Sequence, residues 1–464
     1  MLIGGALIDT PHPIEVVNPA TEGPAGKCAR GEPGHVDAAV AAAGAAFPAW
    51  ADTPVEDRRR VLHAIADVAE RHAAEIAAIL VAEQGKPLAA ARGEVDRVAG
   101  AFRHVAHFDL TTHALTALDG GDVELRRRPL GVVAAIVPWN FPLILMAAKV
   151  PYALLAGNTV VLKPAPTTPL ATLRLFELAR EVIPPGVVNT LADPGDLGPV
   201  LTAHPGVAKI SFTGSTATGR RVMASAADTL KRLTLELGGN DAAIVLDDAD
   251  VGAIAPRLFE AAFRNSGQLC AAVKRLYVHE SIHDALCARL VELADAAVVG
   301  NGAAPGTTMG PLQNRAQFDR VLGLIEDARE QGDLLTGGPM SGPGYFIRPA
   351  IVSDMPDDSA LVAEEQFGPI LPVLRFVDED DAIQRANASP YGLGGSIWTA
   401  DMKRGHTLVS RLDCGTVWIN KHAEMSHDIP FAGAKQSGFG VEMGPVGLEE
   451  FTRIQVISAA GAGG

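Results

Sequence analysis

No Gly-x-Gly-x-x-Gly run occurs in the 464 residues, so the ordinary dinucleotide fingerprint is missing. Cysteine is scarce as well. Cys28, Cys270, Cys287 and Cys414 stand far apart, without a Cys-x-x-Cys pair or close Cys/His spacing. That excludes a disulfide scaffold and an ordinary zinc ribbon, gives no metal site to expect, and suits a reducing, cytoplasmic setting. Positive charge is in deficit: 39 Lys+Arg against 54 Asp+Glu give 39 − 54 = −15. Such a balance argues against broad binding to nucleic acid or to an anionic membrane. Residues 1–9 are briefly apolar but lack the basic and hydrophobic regions of a leader. One uncharged stretch, 129–148, has membrane-spanning length, yet it holds Pro129, Pro138, Asn140 and Pro142. It reads as a buried strand, a turn and the start of a buried helix.

Hydrophobic residues at 48% supply sizeable cores, and the length fits about three units, or two large ones. Val36, Val40, Ala43 and Phe47 share one helical face. Thr53-Pro54-Val55-Glu56 has capping-box spacing and predicts a second helix, whose period runs through Leu62, Ile65, Ala69, Ile76 and Ile79. From Gly131 the texture alternates. Strands are predicted at 131–137, 158–162, 187–191, 208–212 and 232–237, with helical segments between several of them. A second series runs from about 241 to 420, with strands at 243–246, 276–279, 370–376, 396–399 and 416–419. Apolar strands alternating with helices predict parallel sheets covered on both faces. Residues 122–128 and 451–457 alternate polar and apolar side chains; each is expected to form a protruding hairpin and to expose an edge strand in a lone chain.

Four segments carry chemistry. Ser211-Phe212-Thr213-Gly214-Ser215-Thr216-Ala217-Thr218-Gly219 follows a predicted strand and opens a helix, where backbone N–H groups and the helix dipole favour phosphate. Arg220-Arg221 then stands where a nucleotide-hydrolysing loop needs Lys-Ser/Thr, and taken alone the segment is equally an ordinary tight turn. Cys270 follows the turn-forming run Asn265-Ser266-Gly267-Gln268, but an arbitrary cysteine is more often a buried structural one. Asn140 ends a strand, on the usual ligand side of such sheets, as an oxyanion donor or a turn cap. Glu236 sits in an apolar strand before Gly238-Gly239, as a base for water or a surface carboxylate.

Taken in order along nearly the whole chain, these segments resemble the aldehyde dehydrogenase superfamily, of the NAD(P)-dependent, CoA-independent type. The resemblance also rests on Asn18-Pro19-Ala20-Thr21, Lys163-Pro164, Glu364-Glu365-Gln366-Phe367-Gly368-Pro369 and Lys435-Gln436-Ser437-Gly438. It implies an α/β fold of two Rossmann-like parallel-sheet domains with a protruding β oligomerisation arm. Residues 1–115 and 131–237 would form the dinucleotide-binding domain, 238–430 the catalytic domain, and 116–130 with 440–464 the arm and tail. Cys270 looks like the nucleophile, Glu236 like the base, and Asn140 with the Cys270 N–H like the oxyanion site. Lys149 matches a lysine supporting that site. Lys163 would bond the adenosine ribose, Gly214 and Ser215 in the turn closed by Gly219 would face the pyrophosphate, and Trp139 would border the cofactor. Glu365 would hold the nicotinamide ribose, with Phe367 packed nearby. The activity implied is oxidation of an aldehyde to a carboxylic acid with NAD or NADP, through a cysteine thiohemiacetal and thioester, by a homodimer or homotetramer.

The chain departs from the family pattern in places. Pro166 stands where many NAD-preferring relatives carry glutamate, which leaves both cofactors usable, with NAD slightly favoured. Ala148 takes a position often held by a larger residue lining the substrate tunnel, and Ala432 replaces the first glycine of Pro-Phe-Gly-Gly. A wide entrance near residues 421–428, accepting several medium-sized aldehydes, is the expectation. Two other readings differ in class: a cysteine hydrolase or acyl-transfer enzyme without redox chemistry, which predicts ester turnover but no nicotinamide reduction, and a non-catalytic structural protein of the same fold.

Overall fold

The computed structural model describes residues 1–110, 113–116 and 122–460. Two large sheets organise it. The first holds six strands, in the order Gly438–Phe439, Arg232–Glu236, Val207–Thr213, Val132–Ile136, Thr159–Lys163 and Val188–Thr190. All neighbours are parallel except the short Gly438–Phe439 strand, which returns from the far end of the chain to run antiparallel to Arg232–Glu236. The second holds seven: Asp333–Pro339, Ile347–Ser353, Ile370–Phe376, Val273–His279, Asp241–Val245, Gly394–Trp398 and Thr416–Ile419. Only Asp333–Pro339, at its edge, is antiparallel.

The strand sequences explain this burial. Val132-Val133-Ala134-Ala135 carries no polar residue, and its side chains divide by alternation between two cores. Val133 and Ala135 pack with the helices Val55–Arg71, Ala73–Gln84, Leu88–Val105 and Leu170–Ala179, whereas Val132 and Ala134 join the core that holds Val36, Val40 and Ala43. In the second sheet Ala242 and Ile244 enter one core and Ala243 and Val245 the other. Both sheets are therefore covered on both faces, as continuous apolar strands require. The uncharged 129–148 stretch is the strand Val132–Ile136, a turn and the buried helix Pro142–Ala147. Among the described residues, no helix is long and apolar enough to cross a membrane.

Three expectations are corrected. The helix read through Ile79 is two, Val55–Arg71 and Ala73–Gln84, with His72 (φ −106°, ψ 17°) between them. The capping box at Thr53 does not form. Pro54 takes the cap position, and the Thr53 hydroxyl donates back to Ala49 O at 2.8 Å, closing the preceding helix Pro33–Asp52. Strands Asp333–Pro339 and Ile347–Ser353 were not expected, because Gly337, Gly338, Pro339 and Pro349 punctuate them like a loop. Gly337 and Gly338 take positive φ where the register shifts, and Pro349 falls at the same irregularity, outside the paired positions.

A small third sheet stands apart, in the order Thr452–Ser458, Asp122–Pro129, His113–Thr116. The tail strand pairs along the whole arm strand of its own chain, from Thr452↔Pro129 to Ser458↔Val123. Asp122–Pro129 is thus the middle strand, paired on both sides rather than exposed as an edge, and Thr452–Ser458 has one edge satisfied within the chain.

Candidate active site

Parallel registry places several strand ends at one level. Ile136 pairs with Phe212 and with Lys163, and Thr213 pairs with Glu236, so Lys163, Thr213 and Glu236 share the carboxyl edge of the first sheet. The turn through Trp139 and Asn140 leaves the same edge. The second sheet meets it with its amino edge: Cys270 precedes Val273–His279, and Glu365 and Phe367 precede Ile370–Phe376. Between them lies a cleft of about 480 Å³, lined by Asn140, Glu236, Cys270, Glu365 and Phe367 among others.

Cys270 rides on a tightly wound turn. Asn265, Ser266 and Gly267 all have left-handed φ, at 54°, 59° and 71°. A side chain on Gly267 would collide with Gly368 O, its Cβ only 2.2 Å away, so glycine is required for the turn to seat against the Phe367 loop. The double glycine after Glu236 has a similar cause: a Cβ on Gly239 would lie 2.8 Å from Cys270 O, and one on Gly238 2.5 Å from Glu365 Oε2. Asn140 is buried. It donates from Nδ2 to Gln268 O at 3.0 Å, leaving its second amide hydrogen for a ligand, while its own carbonyl accepts from Lys86 Nζ at 3.1 Å and Asn265 Nδ2 at 3.0 Å.

Burial and the nearby Glu236 carboxylate push the Cys270 thiol well above its usual pKa, with Lys274 pulling the other way. The Cys28, Cys287 and Cys414 thiols are also raised, to about 11, 12 and 12, by burial. Acidity therefore does not single out Cys270; its place in the cleft does. Glu236 is raised well above the carboxylate range by burial and by Glu442, opposed by Lys149. Neither of its oxygens has a hydrogen-bond partner among the described residues. Lys149 is fully buried behind it, donating to Thr213 Oγ1 at 2.7 Å and paired with Glu442.

The cofactor candidates divide into two groups. Gly214 and Ser215 line the cleft where the helix Thr216–Ala226 begins, with Ser215 capping it, and Trp139 meets Phe367 edge-on at 5.3 Å between centroids. Glu365 is raised by burial, and its Oε1 accepts from Gly239 N–H at 3.1 Å. A helix N-terminus, a carboxylate and facing aromatic rings fit a dinucleotide. Gly219 is not on the cleft wall; its close approach is to Leu237, which a Cβ would meet at 2.4 Å. Lys163 also lies off the wall, buried, with Nζ 2.5 Å from Asp193 Oδ1.

Sequence reasoning missed Glu442, Asp193, Lys274 and the buried Lys86–Glu94 pair. Glu94 accepts the N–H groups of Leu143 and Ile144 at 3.0 and 3.2 Å, fixing the helix that follows Asn140. No local motif marks these residues. Among the described residues, no group of His, Cys, Asp and Glu is placed to hold a metal ion.

A half-buried thiol, a buried carboxylate and a helix N-terminus on one cleft between two mainly parallel sheets fit a cofactor-dependent oxidoreductase. The family model described as "Aldehyde dehydrogenase family" matches residues 8–457. The chain is 43% identical over 466 residues to a Pseudomonas sp protein named "Probable aldehyde dehydrogenase", covering 97% of this chain and 93% of that one. It is 39% identical to the phenylacetaldehyde dehydrogenase of Pseudomonas fluorescens, covering 97% and 94%. The NAD+ complex structure of aldehyde dehydrogenase from Bacillus cereus superposes with a TM-score of 0.97 at 35% identity, covering 99% and 96%. The chain belongs to the aldehyde dehydrogenase family and is an NAD(P)-dependent enzyme that oxidises an aldehyde to a carboxylic acid. This sets aside a non-redox hydrolase and a non-catalytic protein.

Proposed function

We propose that Cys270 is the nucleophile, Glu236 the base, Asn140 with the Cys270 N–H the oxyanion site, and Lys149 the cation supporting Glu236. The observation that carries this reading is the convergence of Cys270, Glu236 and Asn140 on one cleft. The Cys270 sulfur attacks the aldehyde carbon, and Asn140 Nδ2–H and the Cys270 N–H hold the oxygen of the thiohemiacetal as it gains charge. Bound NAD(P) supplies the acceptor for the hydride that leaves this carbon. Glu236 then takes a proton from water attacking the resulting thioester, and the acid departs, returning Cys270.

Trp139, Gly214, Ser215, Glu365 and Phe367 would hold the cofactor along the cleft, with Lys163 at the adenosine end and Gly219 acting through helix packing. In this reading residues 1–115 and 131–237 bind the dinucleotide, 238–430 supply the nucleophile, and 116–130 with 440–464 contribute the arm and tail of a homodimer or homotetramer. Medium-sized aldehydes are the expected substrates, and four free thiols suit the reducing cytoplasm. Cys270→Ala is the direct test: it should abolish aldehyde-dependent absorbance of reduced nicotinamide while leaving NAD binding within about threefold, the cofactor contacts lying on other segments. Turnover like that of the parent in this variant would remove the covalent route.

A further inference from the structure

Lys274 is the second residue of the strand Val273–His279 and only 3% exposed. A buried lysine needs every proton placed, and its ammonium group has three partners. Nζ donates to Leu269 O at 2.8 Å and to Cys270 O, and it lies 3.4 Å from Glu365 Oε1. The same ammonium stands 5.8 Å from the Phe367 ring centroid. One cation therefore joins the nucleophile turn to the carboxylate and ring assigned to the nicotinamide end of the cofactor.

The Leu269 contact matters most. Leu269 C=O and Cys270 N–H are the two ends of a single planar peptide group, so pinning the oxygen fixes where the N–H points. An ammonium on the oxygen also draws electron density through the amide, which strengthens that N–H as a donor. We propose that Lys274 is a positioning residue of the oxidation: it orients and polarises the Leu269–Cys270 peptide as an oxyanion donor and ties it to Glu365. The proposal rests on the assignment of Cys270 as nucleophile.

The charge has a second effect. Cys270 is faced by Glu236 from the Arg232–Glu236 strand, Asp241 from the next strand, Glu365 from the Phe367 loop and Arg264 from the end of the helix Val251–Phe263. The Lys149–Glu442 pair lies behind Glu236, and His422 stands 3.5 Å from Asp241. Three carboxylates oppose thiolate formation, and Lys274 is the cation bonded to the nucleophile's own backbone. Removing it should make the thiolate harder to form.

The test compares Lys274→Met, Lys274→Gln and Lys274→Arg with the parent and with Cys270→Ala. The readouts are aldehyde oxidation, NAD-independent hydrolysis of 4-nitrophenyl acetate, and the pH profile of iodoacetamide alkylation of Cys270. The neutral variants should lose roughly tenfold in both oxidation and ester hydrolysis, a part of the 10²–10³ that follows complete loss of one oxyanion donor. Their alkylation midpoint should move to higher pH, and arginine should restore much of both effects. Neutral variants that melt lower, yet alkylate with the parent's pH profile and hydrolyse the ester at its rate, overturn the proposal. Ester hydrolysis surviving in Cys270→Ala would instead overturn the nucleophile assignment beneath it.

Discussion

Glu236 has an exacting place: a carboxylate 4% exposed, with neither oxygen hydrogen-bonded among the described residues. An unpaired buried carboxylate favours its protonated form, so its pKa rises, and the negative Glu442 raises it further. A raised pKa makes the ionised form a stronger base for water, but that form becomes populated only at higher pH. The sign is the same for Cys270, raised chiefly by burial and then by Glu236. Turnover should therefore climb toward alkaline pH, as each group loses its proton. Glu236→Gln keeps the volume and removes the proposed base. It should slow thioester hydrolysis by roughly a hundredfold or more while hydride transfer falls far less. A single-turnover burst of reduced cofactor followed by very slow steady turnover is the expected trace. Loss of both the burst and cofactor binding would assign Glu236 a structural role.

The residues legible in the sequence were those whose neighbours announce them. Cys270 follows a run of turn-formers, Asn140 ends an apolar strand, and Glu236 precedes two glycines that let Glu365 and the Cys270 carbonyl approach. Their partners left no such mark. Lys149 and Glu442 are 293 positions apart and meet only because the chain returns to the first sheet at Gly438–Phe439. Likewise, nothing local shows that Lys274 reaches back to the Cys270 turn.

At the scale of elements, the same division appears. Strands such as Val132–Ile136 and Thr159–Lys163 were readable because burial on both faces demands largely apolar runs. Asp333–Pro339 was not, because its glycines and proline describe an irregular edge. The loop between Val188–Thr190 and the helix Gly198–Ala203 has a chemical consequence. Asp193 turns it: Oδ2 accepts the N–H groups of Gly195 and Leu197 at 3.1 and 2.7 Å, and Oδ1 faces Lys163. Pro166 borders the same loop, its Cγ 3.7 Å from where a Cβ on Gly195 would stand. On the proposed cofactor assignment, Asp193 would supply from across the loop the carboxylate missing at Pro166, opposing a 2′-phosphate near Lys163. NAD should bind more tightly than NADP. Asp193→Asn, which keeps one acceptor oxygen for the two loop N–H groups, should narrow the ratio of their dissociation constants by roughly tenfold, the effect of about 1.4 kcal/mol from one nearby charge. Titration of each cofactor by calorimetry measures it, and an unchanged ratio would leave the choice to other residues.

For the molecule as a whole, the third sheet is the part with an unpaired outer edge among the described residues. Its strand Thr452–Ser458 is bonded on one side to Asp122–Pro129 and, among the described residues, open on the other. Ile454 and Val456, two residues apart and so on one face, are 52% and 58% exposed, and Leu115 on the opposite outer strand is 54% exposed. An open backbone edge flanked by apolar side chains is a template for pairing, and natural proteins either charge such an edge or cover it. Here the uncovered strand carries apolar residues, so a second copy of the chain is the expected cover. Light scattering should give a mass near two or four times 48.3 kDa. Replacing Ile454 and Val456 by lysine places repelling charge on that face and should move the mass toward the single chain. The Cys270 cleft lies on other elements, so iodoacetamide should still alkylate the dissociated form. A stable 48.3 kDa particle for the unaltered chain at working concentration would show that this edge stays open.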